Sequence, residues 1–239
     1  MHKSWQTPRD PARRVVSHPD GTVRGMVAPP QDAPEPWTEP EDGPVPVRDA
    51  VFTGEDWYGE ELTERAFAGC VFEDVDLTEA TTTRCLFTEC TFNRVRFNVS
   101  RHTDSAFLRC SFVGSNLFEA EFTGCKLIGS GFTECELRPL RVTGGDWSFV
   151  SLVGADLRGI TIEDTRMREA DLTGSNCDLA VLRGVDLSGA QLASASFFRA
   201  DLRGSDLTAF DLRTMRLPEA VVTPEQAVIL VQAAGLVIG

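Results

Sequence analysis

The feature that most constrains this chain is an unbroken period of five. From Leu62 onward every fifth residue is large and apolar: Leu62, Phe67, Phe72, Leu77, and so on through Phe112, Trp147, Leu182 and Leu212 to Leu217. Only Thr82 and His102 in that series are polar, and no residue is inserted or lost along it. Phe52 and Trp57 extend it backwards and Val222 extends it forwards. We call this position i. Two residues before it sits a second series, mostly small, with Cys70, Ala80, Cys85, Ser100, Ala120, Ala170 and Ala200 as examples. The remaining three positions carry most of the Asp, Glu, Arg, Thr and Gly.

A period of five matches neither a helix, at 3.6, nor a strand, at 2. It buries one large and one small residue per unit if the chain turns a corner every five residues. Four such units close a square coil. Successive coils then stack about 4.8 Å apart through backbone hydrogen bonds, as parallel strands do. Eight coils give a rod of roughly 38 Å at that spacing. The predicted fold is all-β, a quadrilateral parallel β-helix over residues 50–222.

The two ends read differently. Residues 1–49 hold most of the prolines and show no period of five. Such a segment buries too little to offset its chain entropy, so an extended or disordered arm is expected. Trp5, Val15, Val16, Met26 and Trp37 are its candidates for local docking. Val51, Phe52, Trp57 and Tyr58 are expected to cap the first coil, because an open β-helix end exposes strand edges and core. Residues 223–239 read as a C-terminal helix. Thr223 is a good N-cap, Pro224 suits the first helical position, Gln226 completes a capping box and Gly235 ends the helix. The helix is apolar nearly all round. One face covers the last coil, while Val228, Ile229, Leu230, Val231 and Leu236 supply a surface for a twofold homodimer.

Composition narrows the function. The 239 residues carry 23 Lys+Arg against 36 Asp+Glu, a formal charge of −13. That argues against direct nucleic-acid binding of the usual basic kind. No apolar run is long enough to span a membrane, and the start lacks the apolar core of a secretory signal, so a cytoplasmic protein is expected. Seven cysteines, an odd number, are then expected as reduced thiols. Six fall two before i and Cys177 falls at i, so all seven are predicted to face inward as packing residues. No CxxC pair supplies the usual zinc spacing. Thr82 and His102 are predicted neighbours on one wall, with the threonine hydroxyl or an ordered water satisfying a neutral imidazole. Thr63, Thr83, Thr103, Thr123 and Thr143 form a predicted outward ladder, but the charged neighbours Glu61, Arg101, Glu121 and Arg141 spoil it as an ice-binding surface. No phosphate-loop, dinucleotide, nucleophile-elbow or HExxH motif is present. No enzyme activity, metal or cofactor is expected.

The outward position before i holds more acids than bases. Toward the C-terminal end it holds Asp171, Asp186, Asp201, Asp206 and Asp211. Interleaved Arg158, Arg168, Arg183, Arg203 and Arg213 soften the field of that acidic face.

The units Ala155-Asp-Leu-Arg-Gly, Ala170-Asp-Leu-Thr-Gly and Ala200-Asp-Leu-Arg-Gly resemble the A(D/N)LXX consensus of pentapeptide-repeat proteins. The resemblance implies a right-handed quadrilateral β-helix. Glu136-Leu-Arg-Pro-Leu140, the run from Leu182 to Ala190, and the ending from Glu225 to Leu236 resemble the MfpA branch of that family. That branch binds DNA gyrase and is linked to fluoroquinolone resistance. Qnr proteins are more distant relatives, and their projecting loops have no counterpart here. The resemblance implies DNA mimicry by an acidic rod, gyrase as the partner, and a homodimer joined at the C-terminal end. Which face of the rod would bind, and whether gyrase would be inhibited or protected, stay open at this point. The alternative is an interaction scaffold for a non-gyrase partner that uses the proline-rich arm.

Overall fold

The structure, a computed structural model, describes residues 44–237. The arm residues before 44, including all five docking candidates named above, lie outside the described residues. The described chain forms a parallel β-solenoid with four walls and one C-terminal helix. Wall 1 is a seven-stranded ladder: β3 (Glu61–Thr63), β6 (Thr81–Thr83), β9 (Arg101–Thr103), β12 (Glu121–Thr123), β14 (Arg141–Thr143), β15 (Thr161–Glu163) and β16 (Val181–Arg183). Wall 2 is built from β1 (Val47–Arg48), β4 (Ala66–Ala68), β7 (Leu86–Thr88) and β10 (Ala106–Leu108). Wall 3 holds β2 (Val51–Thr53), β5 (Val71–Glu73), β8 (Thr91–Asn93), β11 (Ser111–Val113) and β13 (Gly131–Thr133). Wall 4 is made of single bridges, from Asp56↔Asp76 to Ser196↔Arg216. Every pairing joins residues twenty apart, such as Phe72↔Phe92 and Thr82↔His102. The square coil predicted from the period is therefore the observed one. The solenoid begins at Val47, inside the segment expected as arm, because Val47 pairs with Phe67.

The i residues fill the centre. Phe67, Phe87 and Phe107 stack with centroids 5.1 and 4.7 Å apart. Phe72, Phe92, Phe112 and Phe132 form a second column at 4.9, 4.8 and 4.6 Å. Offset or tilted aromatic contacts of this kind add to the area they bury.

The small inward residues have a second role, which explains the cysteines. Where a unit forms a turn, the carbonyl at i accepts the amide three residues on, as Leu77 does from Ala80. Where a unit forms a three-residue strand, that bond is missing and the carbonyl needs another donor. In many of these strands a thiol or hydroxyl 23 residues later, in the next coil, supplies it. Cys85 donates to Leu62 O, Cys110 to Phe87 O and Cys125 to His102 O, at 3.3, 3.4 and 3.3 Å. Ser130 donates to Phe107 O and Ser205 to Leu182 O, both at 2.7 Å. Six of the cysteines are buried and Cys135 is half-buried, and all seven are free thiols. Burial pushes the Cys125 and Cys177 thiols up to about 12, so they hold their protons.

Two expectations fail in the last coil. Leu212, expected in the core, is 39 % exposed, while Phe210, two residues earlier, is 2 % exposed. The aromatic ring occupies the inward position two before i, which elsewhere holds mostly small residues, and packs on Phe197, with centroids 5.3 Å apart. Elsewhere both positions bury large residues together, as Leu140 with Val142 and Ile160 with Ile162 do, so the outward turn of Leu212 is particular to this coil. Leu217 is only half-buried.

The helix α1 (Pro224–Ala233) has the capping box read from the sequence. Gln226 N donates to Thr223 Oγ1 at 3.3 Å, and Thr223 N donates to Gln226 Oε1 at 2.8 Å. Leu230 packs on the core, and Gln226 is the only fully buried residue of the helix.

Candidate functional site

The five acids read from the sequence stand on three walls. Asp201 is on wall 1, bridged to Val181 and Val221. Asp186 and Asp206 lie on wall 2 in successive coils, the first bridged to Arg166. Asp171 and Asp211 lie on wall 3 on either side of Gln191, and only Asp171 bridges to it. The structure thus brings Asp186 and Asp206 together, one coil apart, and does not gather all five on one face.

Their charges also differ in effect. Asp201 is gripped by Arg203, at 2.7 Å, and by Arg183. Arg203 holds its carboxyl well below the usual range against the opposing effect of burial, and Arg183 adds to this. Burial alone would raise Asp186, but Ser188 and Arg168 outweigh it and hold the group low. Asp211 is lowered by Arg213, 3.0 Å away. Asp171 and Asp206 form no ion pair among the described residues. Asp171 accepts the Thr173 amide at 3.0 Å. Asp206 accepts the Thr208 amide and hydroxyl at 2.8 and 2.6 Å. Paired carboxylates project little field beyond their partners, so the unpaired ones carry the long-range potential.

Other pairs run along the corners from coil to coil. Arg84–Glu64 and Arg94–Asp74 meet at 2.8 and 2.7 Å, each twenty residues apart. On wall 2, β4, β7 and β10 instead flank their central residue with uncharged side chains, Ala66, Ala68, Leu86, Thr88, Ala106 and Leu108, several of them buried.

The two polar core residues do what their spacing implies. His102 is fully buried on wall 1, with Nδ1 2.8 Å from Thr82 Oγ1 and Nε2 3.0 Å from Ser100 Oγ. Ser100 donates its own proton to Phe97 O at 2.7 Å, so the assignment satisfying every group puts the ring proton on Nε2. Burial lowers its pKa to about 3, leaving a neutral ring stacked on Phe122. No carboxylate is among its partners, and the arrangement is structural. The threonine ladder is also present, with Thr83 paired to Thr63 and Thr103, and Thr123 to Thr103 and Thr143.

Of the residues read as a dimer surface, Val228, Ile229 and Leu236 are exposed, while Leu230 and Val231 are half-buried. Leu212 and Val221 add exposed apolar area at the same end of the chain. Leu212 was missed from the sequence because the period alone assigns it inward.

Residues 151–189 and 175–213 match the family model of pentapeptide repeats, in eight copies. Residues 151–213 therefore carry pentapeptide repeats. Its solenoid is similar to solved structures of QnrB1, a plasmid-mediated fluoroquinolone resistance protein. A trypsin-treated form is 21 % identical with a TM-score of 0.61, covering 82 % of this chain and 100 % of that one. Full-length QnrB1 is 20 % identical with a TM-score of 0.51, covering 80 % and 100 %. At these identities the likeness establishes the fold of the repeat protein. No curated protein sequence matches the chain. No helix among the described residues is long and apolar enough to cross a membrane.

Proposed function

We propose that this pentapeptide-repeat protein is a non-enzymatic, acidic β-helical rod that mimics DNA and binds DNA gyrase, inhibiting it or protecting it from fluoroquinolones. The observation that carries the reading is a solenoid without inserted loops in a chain of formal charge −13. Such a rod repeats its carboxylates at the coil spacing, about 4.8 Å, and offers a basic groove a duplex-like row of charge. The QnrB1-like fold and the MfpA-like units support the same partner. Binding is through Asp171, Asp186, Asp201, Asp206 and Asp211, with Asp171 and Asp206 supplying most of the field. Two copies join through the exposed apolar surface of the C-terminal end. Free thiols favour a cytoplasmic setting.

A second reading is favoured by the pairing of Asp186, Asp201 and Asp211 with arginines. A surface neutralised from within suits an interaction scaffold for another protein, with residues 1–49 giving selectivity. Titration of the full chain into a gyrase supercoiling assay, with and without a fluoroquinolone, separates the two. Inhibition or relief of drug poisoning supports the gyrase reading. A folded protein without effect on its cognate gyrase favours the scaffold.

A further inference from the structure

We propose that the break in the solenoid at Ser194 and Thr214 is a binding site for a small oxyanion, a phosphate or carboxylate group. Along the corner between walls 3 and 4 the amide two after i donates to the carbonyl 19 residues on. Gly114 donates to Thr133, Gly154 to Thr173 and Gly174 to Ala193. Ser194 departs from this and donates to Thr214 O, twenty residues on, at 3.1 Å. The upper coil is one residue out of step there. Just before it, Phe210 is buried and Leu212 is exposed. The wall opens, and a cavity of about 420 Å³ forms between the two coils. That is the size range of small-ligand sites.

The lining gives the chemistry. Ser194, Ser196, Arg213, Thr214, Met215 and Arg216 surround the cavity, with two guanidinium groups and no carboxylate. Two carboxylates stand just outside it, Asp211 against Arg213 and Asp178 against Ser196. Arg213 is paired with Asp211 but its side chain is 85 % exposed, and Arg216 forms no ion pair among the described residues. The Ser196 hydroxyl is committed to Asp178, at 2.6 Å, and the Thr214 hydroxyl to Asp211 O, at 3.2 Å. Arg213 is held by Asp211 through two side-chain bonds, so Arg216 and the Ser194 hydroxyl are the donors for a ligand. A second cavity, about 290 Å³, makes the contrast. There Arg101 and Arg141 are balanced by Glu119 and Glu121, with Arg101 and Glu121 in contact at 3.3 Å. Charge-assisted hydrogen bonds from guanidinium to phosphate or carboxylate are short and strong, and Arg216 is the guanidinium placed to offer them.

The test is a titration of the full-length protein with inorganic phosphate, and separately with malonate, followed by amide chemical shifts. Saturable shifts at Ser194 and Thr214 are expected, and the tighter of the two anions identifies the ligand class. Arg216→Gln is expected to weaken binding about tenfold, as loss of one charge-assisted bond implies. Ser194→Ala, which removes only a hydroxyl and keeps the proposal testable if the arginine variant does not fold, is expected to weaken it about threefold. Arg141→Gln, in the balanced cavity, is expected to change nothing. Shifts that never saturate with either anion, or equal weakening by Arg141→Gln and Arg216→Gln, overturn the proposal.

Discussion

Gln226 Nε2 donates to the carbonyl oxygen of Leu202 at 2.7 Å, joining the C-terminal helix to the coil beneath it. The same nitrogen donates to Ser205 O, also at 2.7 Å, while the side-chain oxygen closes the capping box on Thr223. One amide thus starts the helix and satisfies two carbonyls of the solenoid. Gln226→Ala removes the box and leaves Ser205 O buried without its donor. A loss of about 2 kcal/mol is expected from the cap and the orphaned acceptor together. Urea unfolding of the variant measures it, and a change below about 0.5 kcal/mol means the helix is not held this way.

The exchange of Phe210 and Leu212 reverses what the period of five predicts for their mutation. Phe210→Ala empties a core slot and is expected to cost about 3 kcal/mol or more. Leu212→Ala removes a partly exposed side chain and is expected to cost under about 1 kcal/mol in the monomer. Thermal unfolding of both variants decides between the period and the observed packing. If Leu212 belongs to the dimer surface, its substitution instead shifts the sedimentation behaviour.

His102 gives a pH signature. Above its ordinary pKa of 6.5, folded and unfolded chains both hold the ring neutral and the histidine adds no pH dependence. Below 6.5 the unfolded chain takes a proton that the folded chain refuses until about pH 3. Stability therefore falls as pH drops through that window, by up to about 1.4 kcal/mol per unit. His102→Phe, which continues the stack on Phe122, is expected to flatten this part of the curve. Carboxylates such as Asp201 also titrate in acid, so the quantity to measure is the difference between wild type and variant. Parallel curves from pH 6.5 to 4 contradict the buried neutral ring.

Gly145 sits at the small inward position with φ +89°, and a Cβ there would lie 2.0 Å from Cys125 O. Backbone cannot yield as a flexible side chain does. Gly145→Ala is expected to abolish folding or cost more than about 3 kcal/mol. Gly159, at φ +68° with open space around it, isolates the backbone strain alone, and Gly159→Ala is expected to cost about 1 kcal/mol. Circular dichroism melts of the pair separate collision from strain.

For gyrase binding, Asp171 and Asp206 are the informative carboxylates because neither is neutralised by an arginine. Asp171→Lys with Asp206→Lys is expected to weaken binding at least about tenfold at low salt, and less at high salt. Asp201→Asn, already screened by Arg183 and Arg203, is expected to weaken it less. Equal affinity of the double variant and wild type, with both folded, moves the contact to another surface.

The sequence by itself determined the repeat, the square coil and the inward positions. A five-residue period has one way to bury a large and a small residue in every unit, and pairing twenty residues apart follows from four units per coil. It also determined the capping box, because Thr223, Pro224 and Gln226 act within a single turn. The neutral His102 was legible too, since Thr82 lies one coil away on the same wall. Only the tertiary structure decided that Phe210 is buried and Leu212 turned out, because the period assigns both inward and other units, such as Leu140 with Val142, do bury both. It alone showed that Cys85 and Cys110 serve carbonyls of the coil below, a bond that depends on whether each unit folds as strand or turn. It also spread the five aspartates over three walls and matched three of them to arginines. Charge partners come from neighbouring coils and depend on where each side chain reaches. Spacing along the chain carries position around the rod, while side-chain reach between coils exists only once the coils are stacked.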